Sequence, residues 1–316
     1  MPVKVAEEWL NSCSGCEVAI LNLGETLLAV LPQIEFVHIP VLLDHKYYGQ
    51  TGDGDLHHLE IPEAVVGIIS GSIRNQEHLE VAEAMRKSCQ VIIALGTCAT
   101  HGGIPSLINQ YLNAELMERY YRGSESTDAG ANPADPVLPQ LLDRTYALDE
   151  KIKVDIYLQG CPPHPDWIAE AIVALLEGRA PNLPTASVCD TCPTRREGKG
   201  KLKQMRRFTE NAHYDVNQPL SQMHCLLEQG FLCMGAVTRA GCAGASGEAP
   251  RCITARVPCQ GCYGPVRQEG NQLLDMFNAL ASNQVDLGSL ADSSLLLSFS
   301  GAHGLLGCNR KKAIGS

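Results

Sequence analysis

What this sequence of 316 residues lacks narrows its function first. No apolar run approaches the roughly 20 residues that cross a bilayer. Met1-Pro2-Val3-Lys4 leads straight into a strand-like segment rather than a signal-peptide core. The expectation is a soluble cytoplasmic protein with no transmembrane segment. A basic excess is missing too, since 25 Lys and Arg stand against 35 Asp and Glu for a formal net charge of -10. No general phosphate-neutralising surface follows from that balance, so nucleic acid is not an expected partner. There is no internal repeat beyond three CxxC pairs. With 45% hydrophobic and 19% charged residues, wholesale disorder is excluded, and the length suits two domains with a sizeable core.

What the sequence has in abundance is cysteine. Five of its 14 Cys precede Pro181, namely Cys13, Cys16, Cys89, Cys98 and Cys161, and nine follow it. Eight of those nine lie between Cys189 and Cys262, a density typical of metal sites or disulfide scaffolds. A reducing compartment and the CxxC spacing favour metal or cluster ligation over structural disulfides.

The first half alternates strand-like and helix-like segments. Strands are expected at Val3 to Leu10, Ile34 to Ile39, Val65 to Ser70, Val91 to Leu95 and Val154 to Leu158. Helices are expected at Val18 to Leu31, ending at Pro32, and at Asn75 to Lys87, Ile104 to Tyr121 and Pro165 to Glu177. This βαβ series predicts an α/β fold with a doubly wound parallel sheet whose functional loops follow the C-terminal ends of strands. Gly123 to Pro139 reads as a surface excursion. The domain boundary is expected at about residue 180, where Pro181 and Pro184 end the last helix and periodicity gives way to Cys and Gly. Residues 1–180 would form the first domain and 181–316 a poorly regular, cysteine-rich second one. In the latter, an amphipathic segment with Leu273, Leu274, Phe277 and Leu280 is expected to pack back onto the core.

An iron-sulfur cubane needs four thiolates at tetrahedral corners, and a CxxC turn supplies two. Cys13, Cys16, Cys98 and Cys161 form one candidate set, because all four follow strands and would converge on one sheet edge. Gly15, Gly96 and Gly160 let the backbone come close. The alternative makes Cys98 and Cys161 buried structural thiols and Cys13 with Cys16 a redox pair. Cys189, Cys192, Cys225 and Cys233 make a second set, and Cys242, Cys252, Cys259 and Cys262 a third. On spacing alone, structural zinc competes for these two sets.

Cys13-Ser14-Gly15-Cys16-Glu17, Gly96-Thr97-Cys98, Gly160-Cys161-Pro162-Pro163 and the later cysteine series together resemble the small subunit of NiFe hydrogenases over nearly the whole chain. The first half is also similar to the quinone-reductase subunit of respiratory complex I, which lacks the second cysteine domain and has adjacent cysteines in place of CxxC. The hydrogenase resemblance implies a flavodoxin-like first domain and three 4Fe-4S clusters. The proximal cluster would sit on Cys13, Cys16, Cys98 and Cys161, the distal on Cys189, Cys192, Cys225 and Cys233, and the medial on Cys242, Cys252, Cys259 and Cys262. Cys189 stands where periplasmic uptake enzymes have histidine, and Cys252 where many have proline, which implies two complete clusters with all-thiolate ligation and lower potentials. With no twin-arginine leader, the chain looks like the cytoplasmic methyl-viologen-reducing hydrogenases coupled to heterodisulfide reductase. The implied role is an electron-transfer subunit without catalytic residues of its own. Its expected partners are a NiFe large subunit and a downstream electron-acceptor subunit of the heterodisulfide-reductase-linked iron-sulfur type. The other readings are a quinone- or deazaflavin-linked oxidoreductase subunit of the same superfamily and a zinc-stabilised scaffold.

Several residues carry weaker signals. Glu17 is either a first-turn carboxylate favoured by the helix dipole or a group facing the catalytic chain. Arg195 to Arg207, with seven Lys or Arg and one Glu, is either a solvated loop or a surface that steers an acidic partner. His101, His164 and His224 are expected to hydrogen-bond loops rather than ligate iron, and Cys89 to be a core thiol. Cys308 has no CxxC neighbour and is unassigned.

Overall fold

The computed structural model describes residues 2–48, 59–126, 128, 130–198, 205–206, 212–290 and 292–307. Five strands form a parallel sheet: β1 (Val3–Trp9), β2 (Ile34–His38), β3 (Ala64–Ser70), β5 (Cys89–Leu95) and β7 (Ile156–Leu158), in the order β2-β1-β3-β5-β7. Counted within the sheet alone this is the flavodoxin-like order, with the chain reversing direction between β1 and β3. The continuous apolar runs of β3 and β5 become strands because helices cover both sheet faces. Ile92 and Ala94 point to one face with Val81, Ala82 and Met85, while Ile93 and Leu95 point to the other with Ala19, Ile20, Ile168 and Ala171.

The first of these helical layers is α3 (Gln76–Ser88), capped by the Asn75 side chain, which accepts from the His78 N–H. The opposite layer holds α1 (Gly15–Leu21) and α6 (Pro165–Leu176), the latter begun by Pro165 and capped by His164. Between them in sequence lie α2 (Glu25–Val30), α4 (Gly96–His101) and α5 (Asn113–Tyr121).

Two expected helices are broken. The segment Val18 to Leu31 divides at Gly24, whose φ of 56° and ψ of -124° no helix tolerates, so α1 and α2 meet at a 71° bend. Its end is a 3-10 turn, Leu31–Gln33, that takes in Pro32. The segment Ile104 to Tyr121 divides at Tyr111 and Leu112, both extended, leaving a 3-10 stretch Ile104–Gln110 before α5. A small antiparallel pair, β4 (Ile73–Asn75) with β6 (Leu141–Tyr146), was not expected. Among the described residues no single helix is long and apolar enough to cross a membrane.

After α6 the described residues add no strand to the parallel sheet and form loops, 3-10 turns and three helices: α7 (Val188–Thr191), α8 (Arg251–Thr254) and α9 (Gln272–Ser282). The amphipathic segment is indeed a helix, but Met276 and Leu280 are its fully buried residues and Leu274 is exposed. It packs not onto the sheet but into a core of its own with Val188, Met234, Val237, Cys233 and Cys259. Thiols are thus part of the wall of this second core.

Candidate metal centres

The first thiol set is positioned by strand ends. Cys13 and Cys16 follow β1, with Ser14 between them in the left-handed region at φ 65°. Cys98 lies in α4 directly after β5, and Cys161 in the loop after β7. The packing leaves no slack: a Cβ on Gly96 would lie 2.4 Å from Cys16 Sγ, and one on Gly103 would lie 2.6 Å from Cys98 Sγ. Cys16 and Cys98 are buried. Burial raises the Cys16 thiol, and Glu17, Cys98, Cys161 and Cys13 add to it. Cys98 is pushed up to about 12 by burial, with Cys161 and Cys13 contributing.

The second set is gathered by α7 and the turns that follow. Burial pushes Cys189 up to about 12, Cys233, Cys225 and Cys192 raise it further, and Arg196 opposes them. Gly235 makes room here, since a Cβ would meet Cys189 Sγ at 3.2 Å. In the third set, Cys262 is pushed up to about 12 by burial, then by Cys252, Cys242 and Cys161. Cys259 is raised by burial, then by Cys233, with Cys262 and Cys252 adding and the Gly261 N–H opposing. Each of these thiols is opposed by neighbouring thiols, most of them from its own set.

Two of these couplings cross between sets, Cys161 with Cys262 and Cys233 with Cys259. The second is also a direct contact, because the Cys259 N–H donates to Cys233 Sγ at 3.3 Å and the Met234 N–H donates to the Cys259 carbonyl at 2.9 Å. The loop of Cys98 is likewise bonded to that of Cys262, through Thr97 Oγ1 and the Cys262 carbonyl at 2.6 Å.

Buried thiols that oppose one another's ionisation become thiolates when a cationic group arrives among them. Among the described residues no three Cys, His, Asp or Glu side chains are close enough to share one ion. Mostly buried or half-buried, unbridged and carried on loops that close on one another, the thiols have the donor chemistry of a thiolate-ligated metal or iron-sulfur centre. The 13 cysteines within the described residues are all unbridged by disulfides.

Sequence comparison gives the same picture. The family described as NADH ubiquinone oxidoreductase, 20 Kd subunit, matches residues 13–175. The chain is 36% identical to a subunit of the F420-non-reducing hydrogenase (vhu) of Methanocaldococcus jannaschii over 283 residues, covering 89% of this chain and 88% of that protein. It is 34% identical to the iron-sulfur subunit of the F420-non-reducing hydrogenase of Archaeoglobus profundus, covering 90% and 89%. The chain belongs to this family of hydrogenase iron-sulfur subunits. Among solved structures, a chain of an NAD+-reducing NiFe hydrogenase in its H2-reduced state is 29% identical with a TM-score of 0.51, over 58% of this hydrogenase-family chain and 96% of that one.

Other residues of the hydrogenase-family chain take definite places. His101 is fully enclosed, paired with Thr100 Oγ1 at 2.8 Å and the Gln268 carbonyl at 3.1 Å, and burial holds its imidazole down to about 4. His164 accepts from the Asp166 N–H, and His224 pairs with Glu228 at 2.9 Å. Cys89 is buried in β5, its thiol pushed up to about 11 by burial. Of the basic segment, Arg196 donates to the Cys189 carbonyl and the Arg195 carbonyl accepts from the Cys225 N–H at 2.8 Å. Lys199, Lys201, Lys203 and Arg207 lie outside the described residues, as does Cys308.

Sequence reasoning missed a carboxyl pair beneath the first set. Glu17 does sit in the first turn of α1, yet it is buried, as is Glu7 in the middle of β1. With both ionised, neither side chain has a donor. With Glu7 protonated, its hydroxyl donates to Glu17, and burial, Glu17 and Glu8 together push the Glu7 carboxyl up to about 9. The signal in the sequence was two acidic residues inside the apolar run of β1. Glu8 faces the other way, paired with His38 at 2.5 Å and accepting from the Tyr47 hydroxyl at 3.1 Å. A carboxyl raised on folding holds its proton in the native state after the unfolded chain has lost it. Glu7 therefore costs stability progressively as pH rises from about 4.5, the ordinary value, to about 9. Glu7→Gln is expected to raise the thermal midpoint of the complex at pH 8 and to have little effect at pH 4.5. Equal effects at both values would contradict a buried, shared proton.

Proposed function

We propose that this chain is the electron-transfer subunit of a NiFe hydrogenase, relaying electrons between a nickel-iron site in a separate large subunit and a redox partner. Three 4Fe-4S clusters would be held by Cys13, Cys16, Cys98 and Cys161, by Cys242, Cys252, Cys259 and Cys262, and by Cys189, Cys192, Cys225 and Cys233. Residues 1–180 would carry the first, proximal set. Residues 181–316 would carry the medial set and then the distal one. The reading includes a cytoplasmic site of action and a downstream acceptor of the heterodisulfide-reductase-linked type.

The observation that carries this reading is that the cysteine loops are hydrogen-bonded in series: Thr97, beside Cys98, reaches the Cys262 carbonyl at 2.6 Å, and the Cys259 N–H reaches Cys233 Sγ at 3.3 Å. A relay needs such spacing, and independent structural zinc knuckles do not. Bound clusters would supply reversible one-electron storage. The protein's own part is to hold and shield them. Loops at the ends of β1, β5 and β7 fix four sulfurs from three directions, Gly96, Gly103 and Gly235 leave the sulfurs room, and the core around α9 keeps water from Cys233 and Cys259. N–H groups aimed at sulfur, such as that of Cys259 toward Cys233, offset thiolate charge and tune potential.

The anaerobically purified complex is expected to contain about 12 irons and 12 acid-labile sulfides per copy of this chain, with nickel in a co-purifying polypeptide. A colourless, zinc-loaded preparation would overturn the proposal, and the identity of the remaining co-purifying chains tests the acceptor.

A further inference from the structure

The loops carrying the first and third thiol sets meet at one side chain that neither set uses. Thr97 lies between Gly96 and Cys98 and is 1% exposed. Its hydroxyl donates to the Cys262 carbonyl at 2.6 Å and accepts from the Gly160 N–H at 3.0 Å. Its own N–H donates to the Gly160 carbonyl at 2.9 Å. One residue thus touches the peptide before Cys161, the carbonyl of Cys262 and, along the chain, Cys98.

Other contacts join the two halves nearby, including Gln159 with Gln268 at 2.7 Å and His101 with the Gln268 carbonyl. Those lie beside the thiol loops. Thr97 alone among these links a residue of the third set to neighbours of two residues of the first.

We infer that Thr97 is a positioning residue that fixes the separation of the first and third sites and provides the hydrogen-bonded bridge between them. This rests on the proposed cluster loading. In each transfer one electron leaves the first site and one arrives at the third, with no bond broken and no proton exchanged at Thr97. A hydroxyl is required because the bridge must donate on one side and accept on the other. Valine has the same shape and can do neither.

The test compares the wild-type complex with Thr97→Val and Thr97→Ser, measuring iron and sulfide content, the spin-spin splitting between the first and third clusters after dithionite reduction, and the rate at which an electron equilibrates between them. Electron transfer between fixed sites weakens with each added increment of separation and with loss of a hydrogen-bonded path, so Thr97→Val is expected to slow equilibration severalfold and reduce the splitting at unchanged iron content. Thr97→Ser should restore both. A fully loaded Thr97→Val complex with wild-type splitting and rate overturns the inference. If Thr97→Val does not assemble, Thr97→Ser decides: wild-type values support the bridge, and a slowed, fully loaded serine variant refutes it. Failure of the wild-type complex to contain the clusters would instead strike the proposed function.

Discussion

Replacing Cys161 with alanine is expected to lower the iron content of the complex from about 12 to about eight per chain and to reduce hydrogen-dependent viologen reduction at least 100-fold. Cys161 is one of the four ligands proposed for the first site, and the peptide before it is bonded to Thr97, whose hydroxyl reaches the Cys262 carbonyl. Its loss removes a corner of one centre and the near side of the junction with the next. The second and third sets have their own loops and core, so their spectroscopic signals are expected to remain after chemical reduction. Loss of all three signals would mean that the sets fold as one unit and that the role of Cys161 is not local. Retention of all 12 irons with full activity would remove Cys161 from the ligand set.

The second large effect needs no change of any sulfur. Gly96→Ala is expected to abolish loading of the first site. Gly96 has a φ of 86°, and an added Cβ would lie 2.4 Å from Cys16 Sγ, with the Gly160 carbonyl next nearest at 3.5 Å. Gly178 supplies the control, because its φ of 68° is also left-handed but a Cβ there meets nothing within 4 Å. Backbone strain alone costs about 1 kcal/mol. Gly178→Ala should therefore shift thermal stability slightly and keep its full iron, while Gly96→Ala loses about four irons per chain. Equal iron content in the two variants would show that space around Cys16 Sγ does not govern loading.

The strands of the sheet were legible because continuous apolar runs such as Val91 to Leu95 have one stable destination, a sheet covered on both faces. The placement of Cys13, Cys16, Cys98 and Cys161 at strand ends was legible for a related reason, since loops after parallel strands must emerge at the same edge. Helix continuity was not. Gly24 and the extended pair Tyr111 and Leu112 sit inside apolar patterns that a helix period accommodates, and only the path of the chain shows the breaks. On α9, Leu273, Phe277 and Leu280 do pack inward as expected, but Leu274 was misplaced for Met276, because both fit the pattern and the choice is made by what lies opposite. Residues with ordinary local readings were hidden most thoroughly. Thr97 looks like a turn residue and Glu17 like a first-turn acid until partners 165 and ten positions away, Cys262 and Glu7, come into contact with them.

The thiol burial described above has a consequence for biogenesis. Cys16, Cys98, Cys233 and Cys259 each expose less than a tenth of their surface, and the last two are roofed by α9 and the segment that follows it. A cubane of the proposed kind would be too bulky to slip past such a roof. On the proposed loading, iron and sulfide would have to reach a nascent or partly opened polypeptide, so that maturation and final compaction would be one event and a chain that closed early would remain without its inorganic cargo.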